Sequence, residues 1–168
     1  MGDDFSIPDR EFEVIQALNL TSIQYLVIGG YAVLYYGHTN RQVNDLDIWV
    51  DNSRDNIVKL VAALQGLLKN NENFCVERLI QPKPIKIDLS NSRYEVELLT
   101  MVRGVSFNDS YPKRNVMSQK GDKIDIVSIE DLLAIKRTST QESEARLHKE
   151  LKDIGFLESI VSGRGDRG

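Results

Sequence analysis

The sequence predicts an α+β fold in which a mixed β-sheet is flanked by α-helices. Three observations carry this expectation. Apolar patterns run in the order helix, strand, helix, strand, helix, several strands, two helices. That order lacks the regular strand–helix alternation of a doubly wound parallel sheet. The chain has 168 residues, 41% of them apolar, which is enough for one core. No internal repeat is visible. A single domain is therefore expected over residues 1–162. The remaining segment, 163–168, reads "GRGDRG", lacks apolar anchors and is expected to be a disordered tail.

The elements follow in order. Residues 1–6 are expected to fray. "PDREFEVIQALNL" reads as a helix, with Pro8 at its first position and Phe12, Ile15, Ala17 and Leu18 at helical spacing. "QYLVIGG" has the branched and aromatic run of a buried strand. A short helix fits "YAVLYYGH", with Gly37 ending it. "NDLDIWVD" alternates, sending Asp45, Asp47 and Trp49 to one face and Leu46, Ile48 and Val50 to the other. The clearest helix follows, capped from Asp51 to Asp55, with Ile57, Leu60, Val61, Leu64, Leu67 and Leu68 as its apolar stripe. "FCVERLI", "PIKIDLS" and "RYEVELLT" read as strands, the last two joined tightly at Asn91-Ser92. In the turn-rich stretch that follows, Val105 to Phe107 and Val116 to Ser118 are short strand candidates, and "KIDIV" is another. Ser128 precedes "IEDLLAIKRTST" with Asp131 three residues on, a capping-box spacing. A last helix is expected over 143–161, with Leu147, Leu151, Ile154 and Leu157 inward.

Composition narrows the function. Net charge is −4, from 25 acidic and 21 basic side chains, which argues against bulk electrostatic capture of nucleic acid. A single nucleotide or small substrate stays compatible. The lone cysteine, Cys75, forms no intramolecular disulfide and reads as a core residue, which suits a reducing, cytoplasmic location. There is no signal-peptide pattern and no run of the ~18 apolar residues that a membrane span needs, so no membrane partner is expected. With only His38 and His148, a histidine metal cluster is not credible. His38 is expected to be structural, and Tyr25, Tyr31, Tyr35 and Tyr36 to pack rather than stack on a base.

Two features suggest chemistry. Asp45 and Asp47 share a strand face, where like charges repel and each resists burial. A divalent cation resolves that conflict, and Mg²⁺ prefers one or two carboxylates plus substrate phosphates. Gly29-Gly30 follows a strand and opens a helix, so phosphate oxygens can approach its backbone. The alternative is structural: aspartates capping a turn and a tight Gly-Gly bend.

The combination resembles the minimal nucleotidyltransferase (polymerase-beta-like) superfamily, whose pattern is a hydrophobic strand, GG or GS, a short helix, then DxD opening the next strand. The likeness is greatest to small bacterial, uncharacterised and AbiEii-like nucleotidyltransferase-domain proteins, through Gly29, Gly30, Ala32, Gly37, Arg41, Asp45, Leu46, Asp47 and Ile48. Two further parts of the pattern fit. "VELL" supplies Glu97 as the third carboxylate, with Glu95 on the same strand face, and "IEDLLAIKR" matches a later helix with Asp131 and Lys136. The resemblance spans about residues 24–137 and implies a nucleotidyltransferase-like sheet.

It also implies Mg²⁺-dependent transfer of a nucleoside monophosphate from an NTP to an unidentified small-molecule, protein or RNA acceptor. Asp45, Asp47 and Glu97 would be the catalytic and metal-binding residues, and Gly29, Gly30, Arg41 and Lys136 the nucleotide-binding ones. For Arg41 a salt bridge or an exposed loop position is the alternative, and for Lys136 a solvated helix surface. Lys113, Arg114 and Lys120 would meet an anionic acceptor if their loop borders the pocket, and are otherwise solvated surface.

The sequence departs from the pattern at four places. Tyr31 stands where the transferases place a small Ser, Val43 where relatives often have Thr, and Glu97 where many have Asp. "TSTQESEARLHKEL", residues 138–151, lacks the basic residue before Asp that relatives carry there. These departures support an alternative: a catalytically decayed protein of this fold, acting as a partner-binding or regulatory, toxin–antitoxin-like module. The small size leaves little room for a substrate domain, so a partner protein or homo-oligomer is expected to complete the site.

Overall fold

Alternation in "DLDIWV" builds the central strand of the protein. The computed structural model describes residues 5–69, 72, 74–92, 94–140 and 144–165. The elements are α1 (Asp9–Leu20), β1 (Tyr25–Val27), α2 (Gly29–Tyr35), β2 (Asp45–Val50), α3 (Arg54–Leu64), α4 (Val76–Leu79), β3 (Ile85–Ile87), β4 (Glu95–Leu99), α5 (Phe107–Ser110), β5 (Asn115–Gln119), β6 (Asp122–Ile126), α6 (Ile129–Ser139) and α7 (Glu144–Gly165). The strands form one six-stranded sheet in the order β3-β4-β2-β1-β6-β5. It is mixed: β1–β2, β3–β4 and β5–β6 are antiparallel, and β1–β6 and β2–β4 are parallel. The α+β class expected from the element order is the architecture found.

The core has a simple sequence origin. Phe12, Ile15 and Leu18 of α1, Ile57, Leu60 and Leu64 of α3, and Leu132 of α6 are buried with Leu26, Leu46, Ile48, Val96 and Ile126 of the sheet. Ser128 Oγ accepts from the Asp131 amide at 3.2 Å, so the capping spacing starts α6. The β5–β6 hairpin turns at Lys120 and Gly121, both at positive φ. Gly37, at φ +105°, closes α2 as expected.

Several elements differ from expectation for physical reasons. "FCVERLI" holds a helical turn, α4, instead of a strand. In a strand Phe74 and Leu79 would point to opposite faces; the turn returns both to the core, and Cys75 caps it half-buried. The β3–β4 pairing is antiparallel as expected, but its link is residues 88–94 rather than a tight two-residue turn. Asn91 there takes φ +62°, and Leu89 bridges to Leu68. That bridge also explains why α3 stops at Leu64, before Leu67 and Leu68. Pro8 sits just before α1 rather than in its first turn. Residues 105–107 lead into α5 and form no strand. Helix α7 runs to Gly165, and residues 166–168 of the expected tail lie outside the described residues, as do residues 1–4 at the other end. Among the described residues no helix is long and apolar enough to cross a membrane.

Candidate active site

Parallel pairing of β2 with β4 sets the site. Asp45 lies opposite Glu95, and Asp47 opposite Glu97, so four carboxylates share one sheet face. Their environments then diverge. Glu95 reaches outward to Lys86, 2.6 Å away, near the sheet edge. Glu97 instead lines a cavity of about 600 Å³ with Asp45 and Asp47. Glu97 is thus the inward member of the pair that the sequence leaves open. The same cavity is bounded by Gly29, Gly30, Arg41 and Lys136. All seven residues singled out in the sequence therefore border one space, whose volume suits a small-molecule ligand.

Gly29 is where backbone and carboxylate meet. It takes φ +63°, and a Cβ there would lie 1.9 Å from Asp47 Oδ2. Only a residue without Cβ lets Asp47 occupy this place. The Gly29→Ala substitution is expected to cost roughly 2–4 kcal/mol from backbone strain plus displacement of the half-buried Asp47 carboxyl. Urea unfolding measures it, and a cost below ~1 kcal/mol would contradict the packing described. Gly30 is crowded too, with Arg41 Nη1 and Val43 Cγ2 each 3.0 Å from a Cβ built there.

Burial raises Asp47 from an ordinary value of 3.8 to about 7, and the neighbouring charges of Glu97 and Asp45 add to it. A hydrogen bond to Glu97 contributes in the same direction, while the Lys136 ammonium opposes it. A contact between two carboxyls needs a proton, and Asp47 is the group that keeps one. The folded state therefore holds a proton that the unfolded chain releases above 3.8. This contribution to stability falls as pH rises from about 4 to about 7 and is level beyond. The stability of Asp47→Asn minus that of the parent is expected to grow through this window. A flat difference in pH-dependent urea unfolding would refute the assignment.

Two cations that border the cavity are already engaged. Arg41 Nε donates to both carboxylate oxygens of Asp153, at 2.8 and 3.0 Å. Lys136 Nζ lies 2.8 Å from Asp153 and 2.9 Å from Glu150. Arg41 thus makes the salt bridge that was its alternative, while still bordering the cavity. Lys136 is buried, not solvated helix surface. Asp153 is 2% exposed, and α7 turns it inward while Leu151, expected inside, is 53% exposed. Burial alone would raise Asp153, but hydrogen bonds from Arg41 and Lys136 outweigh it and hold its carboxyl below the usual range. Sequence reasoning missed Asp153 and Glu150. The signal was one residue away: Lys152-Asp153, a basic residue before Asp, begins just past Leu151.

Other sequence candidates lie elsewhere. Lys113 pairs with Asp131, Arg114 with Asp125, and Lys120 with Asp9, so the turn-rich segment braces β6, α6 and α1 rather than the cavity. Arg103 and Lys149 line the cavity instead. Tyr25, Tyr31 and Tyr36 are buried, and Tyr31 stands edge-on to Phe5. His38 packs on Phe156, ring centroids 4.6 Å apart. Among the described residues, no group of three or more His, Cys, Asp or Glu stands arranged to hold a metal ion.

No protein-family model and no curated protein matches the sequence. Solved structures do match. An antigenic nucleotidyltransferase-like protein from Paracoccidioides brasiliensis is 18% identical, with a TM-score of 0.59 over 90% of this chain and 75% of that one. A candidate nucleotidyltransferase from Thermotoga maritima is 14% identical, with a TM-score of 0.52 over 99% of this chain and 100% of that one. ANT(2″)-Ia, solved with adenylyl-2″-tobramycin, is 12% identical, with a TM-score of 0.57 over 92% and 89% of the two chains. At these identities the likeness establishes the fold alone, which this chain shares with the three structures.

Proposed function

We propose that the chain transfers a nucleoside monophosphate from a nucleoside triphosphate to an acceptor hydroxyl, releasing pyrophosphate. The observation that carries this is the β2–β4 register, which puts Asp47 beside Glu97 with Asp45 on the same cavity wall as Gly29. The donor chemistry is that of a hard divalent cation, since three carboxylates border one space, and a cation there would offset both the burial of Asp47 and its repulsion by Glu97 and Asp45. Asp45, Asp47 and Glu97 would hold Mg²⁺, which when bound would neutralise triphosphate charge and polarise the reacting phosphorus.

The chain's own groups supply the rest. Gly29 and Gly30 border the cavity, and their backbone would meet the phosphate oxygens there. Lys136 and Arg41 bring positive charge to the same cavity as the carboxylates. The Glu97 carboxylate is the group set to take the acceptor's proton as the acceptor oxygen bonds to the α-phosphorus and the bond to pyrophosphate breaks. Whether the acceptor is a small molecule, a protein or an RNA is decided by its contacts beyond this wall.

The test is calorimetric titration of ATP, GTP, CTP and UTP, each with Mg²⁺ and again with EDTA. Metal-dependent binding of at least one nucleotide is expected. No binding of any would overturn the transferase reading and favour the partner-binding alternative.

A further inference from the structure

Lys136 carries one positive charge but contacts two carboxylates, and the two are held differently. Asp153 is fixed from behind, since it also receives both Arg41 hydrogen bonds. Glu150 borders the cavity alongside Lys136, and its side chain is 13% exposed. Its Oε2 is buried and 2.9 Å from Nζ, yet makes no well-aligned hydrogen bond. The cavity-facing carboxylate therefore has Lys136 as its one partner among these contacts, whereas Asp153 has two.

Resting on the nucleotidyl-transfer reading, we infer that Glu150 is a placeholder anion, occupying the cavity-facing side of Lys136 that a polyphosphate takes when it binds. An ammonium has three donors, so Lys136 can keep Asp153 while exchanging Glu150 for a phosphate oxygen. The exchange conserves charge at Lys136: one anion leaves as another arrives. Without a ligand, Glu150 keeps a buried ammonium from standing half-paired opposite an empty cavity. With a ligand, the same carboxylate competes for Lys136 and repels the incoming phosphates. Glu150 thereby sets the affinity of the site for polyphosphate, and α7 carries the setting. A purely structural Glu150 would behave otherwise, because neutralising it would weaken the helix contact and leave anion affinity unchanged.

The full chain, Glu150→Gln and Glu150→Ala are titrated with magnesium tripolyphosphate, with the four Mg·NTPs, and with adenosine as a ligand without phosphate. Thermal melts confirm that each variant is folded, and Gln keeps the shape of the original side chain should Ala not fold. Both variants are expected to bind tripolyphosphate and the preferred NTP roughly tenfold more tightly than the parent, the worth of one charge-assisted contact. Adenosine should show no change. Tightening in the variants from an undetectable parent also supports the inference. If the parent binds and Glu150→Gln binds equally or more weakly, the placeholder role is overturned and nucleotidyl transfer stands. Should none of the three bind any phosphate compound, both fall.

Discussion

Replacing Asp45 and Asp47 together by asparagine is expected to weaken Mg²⁺-dependent nucleotide binding at least ~100-fold and to leave the fold at least as stable as the parent. The two halves of this result have one cause. Asp47 sits in a place where burial, Glu97 and Asp45 all disfavour its charge. A side chain chosen for packing would not be charged there. Asparagine fills the same volume without the charge, so the repulsion disappears and so do the oxygens a cation would use. Calorimetry with Mg²⁺ and thermal melting read the two halves separately. A large loss of stability would mean that these aspartates hold the fold through turn caps. Unchanged binding would mean that the nucleotide sits elsewhere.

The second large effect concerns α7. The Asp153→Asn substitution is expected to cost about 3–5 kcal/mol, because it takes from Arg41 its carboxylate partner and leaves buried Lys136 with Glu150 alone among these contacts. Asp153 joins three segments that are distant in sequence: the loop before β2, helix α6 and helix α7. Its loss should loosen α7 and disorder the cation wall of the cavity together. The depressed pKa gives a second signature. A carboxylate held below its unfolded value contributes stability that is present above that value and lost as pH falls through the folded one. The gap between parent and Asp153→Asn should therefore close in acid. Urea unfolding that shows a cost below ~1 kcal/mol at neutral pH would contradict the anchoring role.

These effects also mark how far the sequence could be read. The β2 strand and its two inward carboxylates were legible, since a period-two pattern is local and Asp45 and Asp47 lie within it. Gly29-Gly30 was legible because it breaks an apolar run where a positive φ is needed. The side of Glu97 was not, because strand alternation places Glu95 and Glu97 on one face and only the ion pair of Glu95 with Lys86 and the cavity at Glu97 tell them apart. For α7, a rule that sends apolar residues inward misplaced Leu151. The helix is turned instead by ion pairs to Arg41 and Lys136, partners that no local pattern reveals. "FCVERLI" failed for a related reason, since its charges and apolar residues suit either a strand or one helical turn, and burial of Phe74 and Leu79 decided it.

The most direct measurement is a crystal structure of the chain with Mn²⁺ and an NTP analogue whose α,β-bridging oxygen is replaced by methylene. The anomalous signal of Mn²⁺ locates the ion without assuming its ligands. The account predicts a peak coordinated by Asp45 and Asp47, with the triphosphate along Gly29-Gly30 and Glu97 beside the α-phosphate. A triphosphate bound away from β2, or an ion that touches neither aspartate, would contradict it.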